Sequence, residues 1–175
     1  MNSKHTYARK GLFLAVSVLA LAASGAAFGG SDTANLSVGA TVIDNCTIST
    51  SDLMFGNYDP IVAHAASTLD GTGAVTITCT SGTSANILLG QGGSAGGGST
   101  DAVPLRRMTN GPNYLSYFLF SDSEFSTVWG NDGSVDVDAT GDGEADLHDV
   151  YGRVTAAQNV PAGTYMDSVV ATVTF

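Results

Sequence analysis

Near the N-terminus Leu36, Val38, Ala40 and Val42 alternate with Asn35, Ser37, Gly39 and Thr41, the period of a strand with one apolar face. At the far end Val169, Ala171, Val173 and Phe175 mark a second apolar face within Tyr165–Phe175. With no residue after Phe175 to cover it, this strand is expected to leave an open, groove-edge position that a foreign strand can fill. The N-terminal strand is a ready filler for another copy of the chain.

Between these ends the apolar runs are short and are broken by Gly, Pro, Asn and Asp. Strands are expected at Leu53–Pro60, Ala74–Thr80, Asn86–Leu89, Leu105–Met108, Tyr114–Phe120 and Val128–Trp129. Helical periodicity is not sustained anywhere after the first thirty residues. Strands of this length and spacing predict an all-β sandwich. Gln91–Ser99 is rich in glycine and reads as a flexible surface connection, and no Gly-Lys-Ser/Thr follows to make it a phosphate cradle.

The first residues read as an export leader. Lys4, Arg9 and Lys10 precede the apolar run Gly11–Ala23, and small residues follow it. The expected organisation is a signal peptide at 1–29, an N-terminal extension at 30–42 and a domain at 43–175. Cleavage is expected between Ala26 and Ser31. It would leave Arg106, Arg107 and Arg153 against 16 acids, a formal net charge of −13 with no lysine. So acidic a chain is no partner for nucleic acid, whose phosphates need clustered Lys and Arg. Any fibre it forms must do without joints through lysine amines.

Cys46 and Cys79 are the only cysteines, and an oxidising compartment leaves them one pairing, a disulfide between two strands. Two cysteines do not make a metal site, and their spacing is not that of a redox motif. Catalysis has little to stand on. His64 and His148 are the histidines outside the leader, and Gly82-Thr-Ser84-Ala-Asn86 lacks the second glycine of a nucleophile elbow. No catalytic residue and no organic cofactor is assigned. Between Asp138 and Asp149, the oxygen-bearing Asp138, Thr140, Asp142, Glu144, Asp146 and Asp149 follow the spacing of a calcium loop around Gly143. The competing reading, and the preferred one, is a solvated acidic hairpin or loop, because position 12 is Asp instead of Glu and flanking helices are missing.

A set of short motifs then falls in order along the chain: Asn45-Cys46-Thr47, Leu53-x-Phe55-Gly56-x-Tyr58-Asp59-Pro60, Val75-x-Ile77-x-Cys79-Thr80, Arg107-Met108, Tyr117-x-Leu119-Phe120, Trp129-Gly130, Tyr151-Gly152-Arg153-Val154 and Ala162-Gly163-Thr164-Tyr165-x-Asp167. From Asp32 to Phe175 the chain resembles the spore coat protein U domain family, which includes subunits of archaic chaperone-usher pili. The resemblance implies an immunoglobulin-like sandwich that lacks its last strand and is completed by donor-strand complementation. It casts Leu36, Val38, Ala40 and Val42 as donor-strand anchors. As partners it implies other copies of the chain, a periplasmic chaperone and an outer-membrane usher, with export through the periplasm to a surface fimbrium. A role in adhesion or biofilm formation would follow. The alternative is a secreted monomeric coat component or binding module that fills its own groove.

Overall fold

The computed structural model describes residues 29–175; the leader read at 1–29 lies almost wholly outside them. The chain divides at Ala40–Thr41. On the N-terminal side, residues 29–40 carry no strand, and Leu36 and Val38 are 87% and 88% exposed. A strand acquires its ladder only from a neighbour, so the alternation seen in the sequence has here no pairing to express itself in.

The domain from Thr41 to Phe175 holds eight strands: β1 (Cys46–Ser51), β2 (Leu69–Cys79), β3 (Ser84–Leu89), β4 (Arg106–Asn110), β5 (Asn113–Phe120), β6 (Val137–Thr140), β7 (Ala145–Val154) and β8 (Ala171–Thr174). They form a five-stranded sheet in the order β1-β2-β7-β5-β4 and a three-stranded sheet in the order β6-β3-β8. Every pairing is antiparallel. Alternate residues point inward: Val75, Ile77 and Cys79 from β2, Ala85, Ile87 and Leu89 from β3, Leu115, Tyr117 and Leu119 from β5, Val150 and Val154 from β7. Trp129 is fully buried with them, and its indole N–H donates to the Ile87 carbonyl at 2.9 Å. The architecture is the all-β, immunoglobulin-like sandwich expected from the sequence.

Three local expectations are corrected. Leu53–Pro60 is not a strand. It turns onto the inner face of the five-stranded sheet, where Leu53 and Phe55 occupy space left by Gly71, Gly73 and Gly152. A β-carbon on Gly152 would lie 2.7 Å from Leu53 Cδ1 and 2.8 Å from Phe55 Cζ, so the glycines are the seat of these two side chains. Second, the acidic stretch is neither one loop nor a paired hairpin, since β6 and the first half of β7 run through it and belong to different sheets. Third, Gln91–Ser99 is tied down. Arg107 donates from Nε to the Ser94 carbonyl (3.0 Å) and from a terminal nitrogen to that of Ala95 (2.9 Å), and the Gly93 N–H donates to Asp167 at 2.8 Å. Val128, read as part of a strand, makes a single bridge to Phe120.

Candidate functional site: an open groove between two sheet edges

Two sheets have four edges, and an uncovered edge is a row of unsatisfied backbone groups. The β4 edge is closed: the Thr109 N–H donates to the Met166 carbonyl at 2.8 Å and the Met166 N–H returns the bond at 3.1 Å. The β6 edge is four residues long and carries the exposed Asp138, a charge of the kind that blunts an edge. That leaves β1 and β8, which lie near each other at the same side of the sandwich. Among the described residues neither is paired on its second side.

Beside these two edges the sandwich opens into a groove of about 1050 Å³. Core side chains Val75, Leu89, Leu115, Leu119, Val150 and Val154 reach its floor. One wall is the chain leaving β1, Thr50 to Tyr58, and the other is the segment from Asn159 to Ala171 that leads into β8. The walls are braced. The Tyr58 hydroxyl donates to the Thr155 carbonyl and accepts from the Gln158 N–H, both at 2.9 Å, and Gln158 reaches across to the Ser116 backbone. Within the C-terminal strand, Ala171 and Val173 pair with Leu89 and Ile87 and are half-buried, as is Val169 just before it. Phe175 follows β8 and is exposed. The apolar face expected at Val169, Ala171 and Val173 is thus turned against the core, and Phe175 is not.

A polar network underlies one end of the groove. The Tyr117 hydroxyl donates to Asp167 Oδ2 at 2.7 Å, and Asp167 Oδ1 accepts the Gly93 N–H. Burial, reinforced by the Asp167 carboxylate, pushes the Tyr117 phenol far above its ordinary range, so it stays a donor. Arg106 is 1% exposed. Its Nε donates to the Gly90 carbonyl and one terminal nitrogen to those of Leu89 and Trp129, at 2.7–2.8 Å. Burial lowers its pKa to about 10, which still leaves a cation at neutral pH. Its other terminal nitrogen has no partner among the described residues. Sequence reasoning missed this buried cation, because an arginine at an alternating position normally marks the solvent face.

The end of the sandwich away from the groove is closed. Cys46 and Cys79 face each other in register and are joined by the expected disulfide, with their Cα atoms 4.1 Å apart. Just before β1, the Asn45 carbonyl accepts the Thr80 N–H at 2.9 Å, and Asp44 Oδ1 accepts the hydroxyl of the buried Thr83 at 2.7 Å. The chain therefore enters the domain at one end of β1, and the groove begins at the other end, by Thr50 and Ser51. Six residues at about 3.3 Å each put roughly 20 Å between them.

The six oxygen-bearing side chains expected for a calcium loop are not gathered. Asp138 and Thr140 lie on β6 and Asp146 and Asp149 on β7, strands of different sheets joined by the turn that holds Asp142 and Glu144. Each aspartate has a local partner. Asp138 accepts from Asn86, Asp142 caps the Glu144 N–H, Asp146 bonds His148 and Asp149 accepts the Tyr151 hydroxyl. Among the described residues no group of three or more His, Cys, Asp or Glu is arranged to hold a metal ion. His64 Nδ1 accepts the Asp59 N–H at 2.9 Å and its ring stacks on Tyr58, a role in bracing the groove wall.

Comparison with known proteins gives a family and a shared fold. The Spore Coat Protein U domain matches residues 32–172. Protein U of Myxococcus xanthus is 44% identical over 173 residues, an alignment covering 92% of this chain and 97% of that protein. Among solved structures, a chain of the CsuC-CsuE chaperone-tip adhesion subunit pre-assembly complex, from the archaic chaperone-usher Csu pili of Acinetobacter baumannii, superposes with a TM-score of 0.55 at 24% identity. The match covers 77% of this chain and 40% of that one, and it shows a shared fold.

Proposed function

The chain belongs to the Spore Coat Protein U domain family, and on that premise we propose that it is a structural subunit of a non-covalent cell-surface pilus, built by donor-strand exchange. The supporting observation is the edge arrangement: of four sheet edges, the two without cover flank one apolar groove. In this reading residues 30–42 of one copy add a strand beside β8 of the next. Leu36, Val38, Ala40 and Val42 enter the groove, and Asn35, Ser37, Gly39 and Thr41 face out. The extension joins the domain about one strand length from the groove, so each copy offers its donor at one end and accepts at the other, and growth is head to tail.

Before assembly the exposed groove needs a cover. The related Acinetobacter structure is a complex of a chaperone with a tip adhesion subunit, and a periplasmic chaperone is the corresponding partner proposed here. An outer-membrane usher would exchange it for the donor strand. The leader at 1–29 would deliver the chain to the periplasm, and the fimbrium would act at the cell surface in adhesion or biofilm formation. A monomer that filled its own groove would first have to turn back at residues 43–45, which are bonded to Thr80 and Thr83.

Burying a Val side chain contributes about 1.5–3 kcal/mol. Val38→Asp loses that and adds the desolvation of a carboxylate, several kcal/mol per joint. Electron microscopy of cells carrying this variant should show no fibres while the subunit still reaches its chaperone, and Ser37→Asp should leave fibres intact. Equal fibre yield from both variants refutes the donor strand. A purified monomer that does not bind a peptide spanning residues 30–42 would favour the self-filling coat component instead.

A further inference from the structure

Outside the leader the chain has three methionines, Met54, Met108 and Met166, and all three line the groove. Met54 stands on the wall leaving β1 and is 70% exposed; Met166 stands on the wall entering β8 and is 57% exposed. Met108 is half-buried in β4 and packs on the core. Thioethers adapt to irregular apolar partners, which suits the lips of a groove that must accept a strand. They are also the side chains, besides free thiols, that oxidants attack most readily, and this chain has no free cysteine among its described residues.

We propose that Met54 and Met166 form an oxidation site that gates assembly: a peroxide converts them to sulfoxides in the unassembled subunit, the groove then rejects a donor strand, and a donor already seated shields them. This rests on the donor-strand reading. The thioether sulfur attacks one peroxide oxygen, the O–O bond breaks, an S–O bond forms and water leaves. The sulfur is oxidised by two electrons and the peroxide reduced by two. The product carries a strong acceptor oxygen where an apolar lip stood. Beneath a seated strand that oxygen either loses its water without replacement or takes an edge N–H that the incoming strand needs.

The test uses the purified protein, hydrogen peroxide, and a labelled peptide spanning residues 30–42. Peptide mapping by mass spectrometry should find Met54 and Met166 oxidised first and Met108 well behind. Treated protein should bind the peptide about tenfold more weakly or worse. Peptide bound beforehand should slow oxidation at both lips by on the order of tenfold. The double variant Met54→Leu with Met166→Leu, a volume-conserving change at exposed positions, should keep its peptide affinity after peroxide. If untreated and treated wild type bind equally well, the gate is refuted while the donor-strand reading stands. The gate is refuted in the same way if the double variant loses binding as wild type does. If untreated protein fails to bind the peptide, both fall together. Oxidation rates in wild type with and without peptide give a reading that does not depend on how the variant folds.

Discussion

The two ends of the sandwich are built on opposite principles. Around Cys46 and Cys79 the chain crossings are fastened. A disulfide joins β1 to β2, the Thr80–Thr83 turn holds residues 43–45, and the Gly141 N–H and carbonyl are bonded to the same turn. Around Leu53 and Val169 core side chains line an open groove, and the two strands beside it lack a neighbour on one side. Cross-links and bonded turns can hold a small fold at one end and leave the other free to accept a partner. A change at the closed end should then lower stability and leave the groove as it is, whereas a change at the open end should reach the groove as well as the stability.

The largest stability effect should come from the closed end. Cys46→Ser with Cys79→Ser opens a loop of 33 residues, worth roughly 3–4 kcal/mol by loop entropy. Denaturant melts should show that loss, while peptide binding by the protein that remains folded stays near wild type. Loss of binding in a native-like, fully folded population would break the comparison.

At the open end, Gly152→Val drives methyl groups into Leu53 and Phe55. It should cost about 1–3 kcal/mol. Because Leu53 and Phe55 line the groove, peptide affinity should fall as well. Gly97→Ala, with no atom within 4 Å of the new carbon, is the control and should change neither quantity. A smaller loss, about 1 kcal/mol, is expected for Tyr117→Phe, which removes one of the two donors to Asp167.

The smallest effect lies on the outer face, away from both ends. Arg153 meets Asp70 with two hydrogen bonds of 2.7 and 2.8 Å, and these bonds hold the Asp70 carboxyl below its ordinary value of 3.8. A lowered folded-state pKa contributes stability that is present at neutral pH and is lost as the pH falls below about 4. The pair is well exposed, so its contribution is about 0.5 kcal/mol. The stability difference between wild type and Asp70→Asn should close on acidification. A gap that widens in acid would reverse the assignment.

Much of this fold was legible in residue alternation. The inward faces of β2, β3, β5 and β8 are runs such as Val75-x-Ile77-x-Cys79, and they appear where the pattern put them. Alternation failed where glycine stands in for an apolar residue. Gly71 and Gly73 hid the first half of β2, and Gly152, paired with Gly71, hid the inward face of β7. The same glycines explain the opposite error at Leu53–Pro60, whose apolar residues serve a seat on the sheet and not a ladder in it. The calcium-like spacing is a pattern of sequence alone, because residues close in sequence are divided between two sheets. The groove was legible only as a loose edge at β8. Its second wall depends on Asp167, Met166 and Gln158 bonds that span tens of residues and leave no local pattern.

Trp129 gives the chain an optical property. It is the single tryptophan, it is sealed between the sheets, and it does not line the groove. Its emission should be blue-shifted in the native domain and move red only on global unfolding, leaving it insensitive to a strand entering the groove. Tyr58 and Tyr165 do line the groove, so excitation of the tyrosines should register the arrival of a neighbour. One unlabelled sample would then report folding and docking in two separate spectral channels.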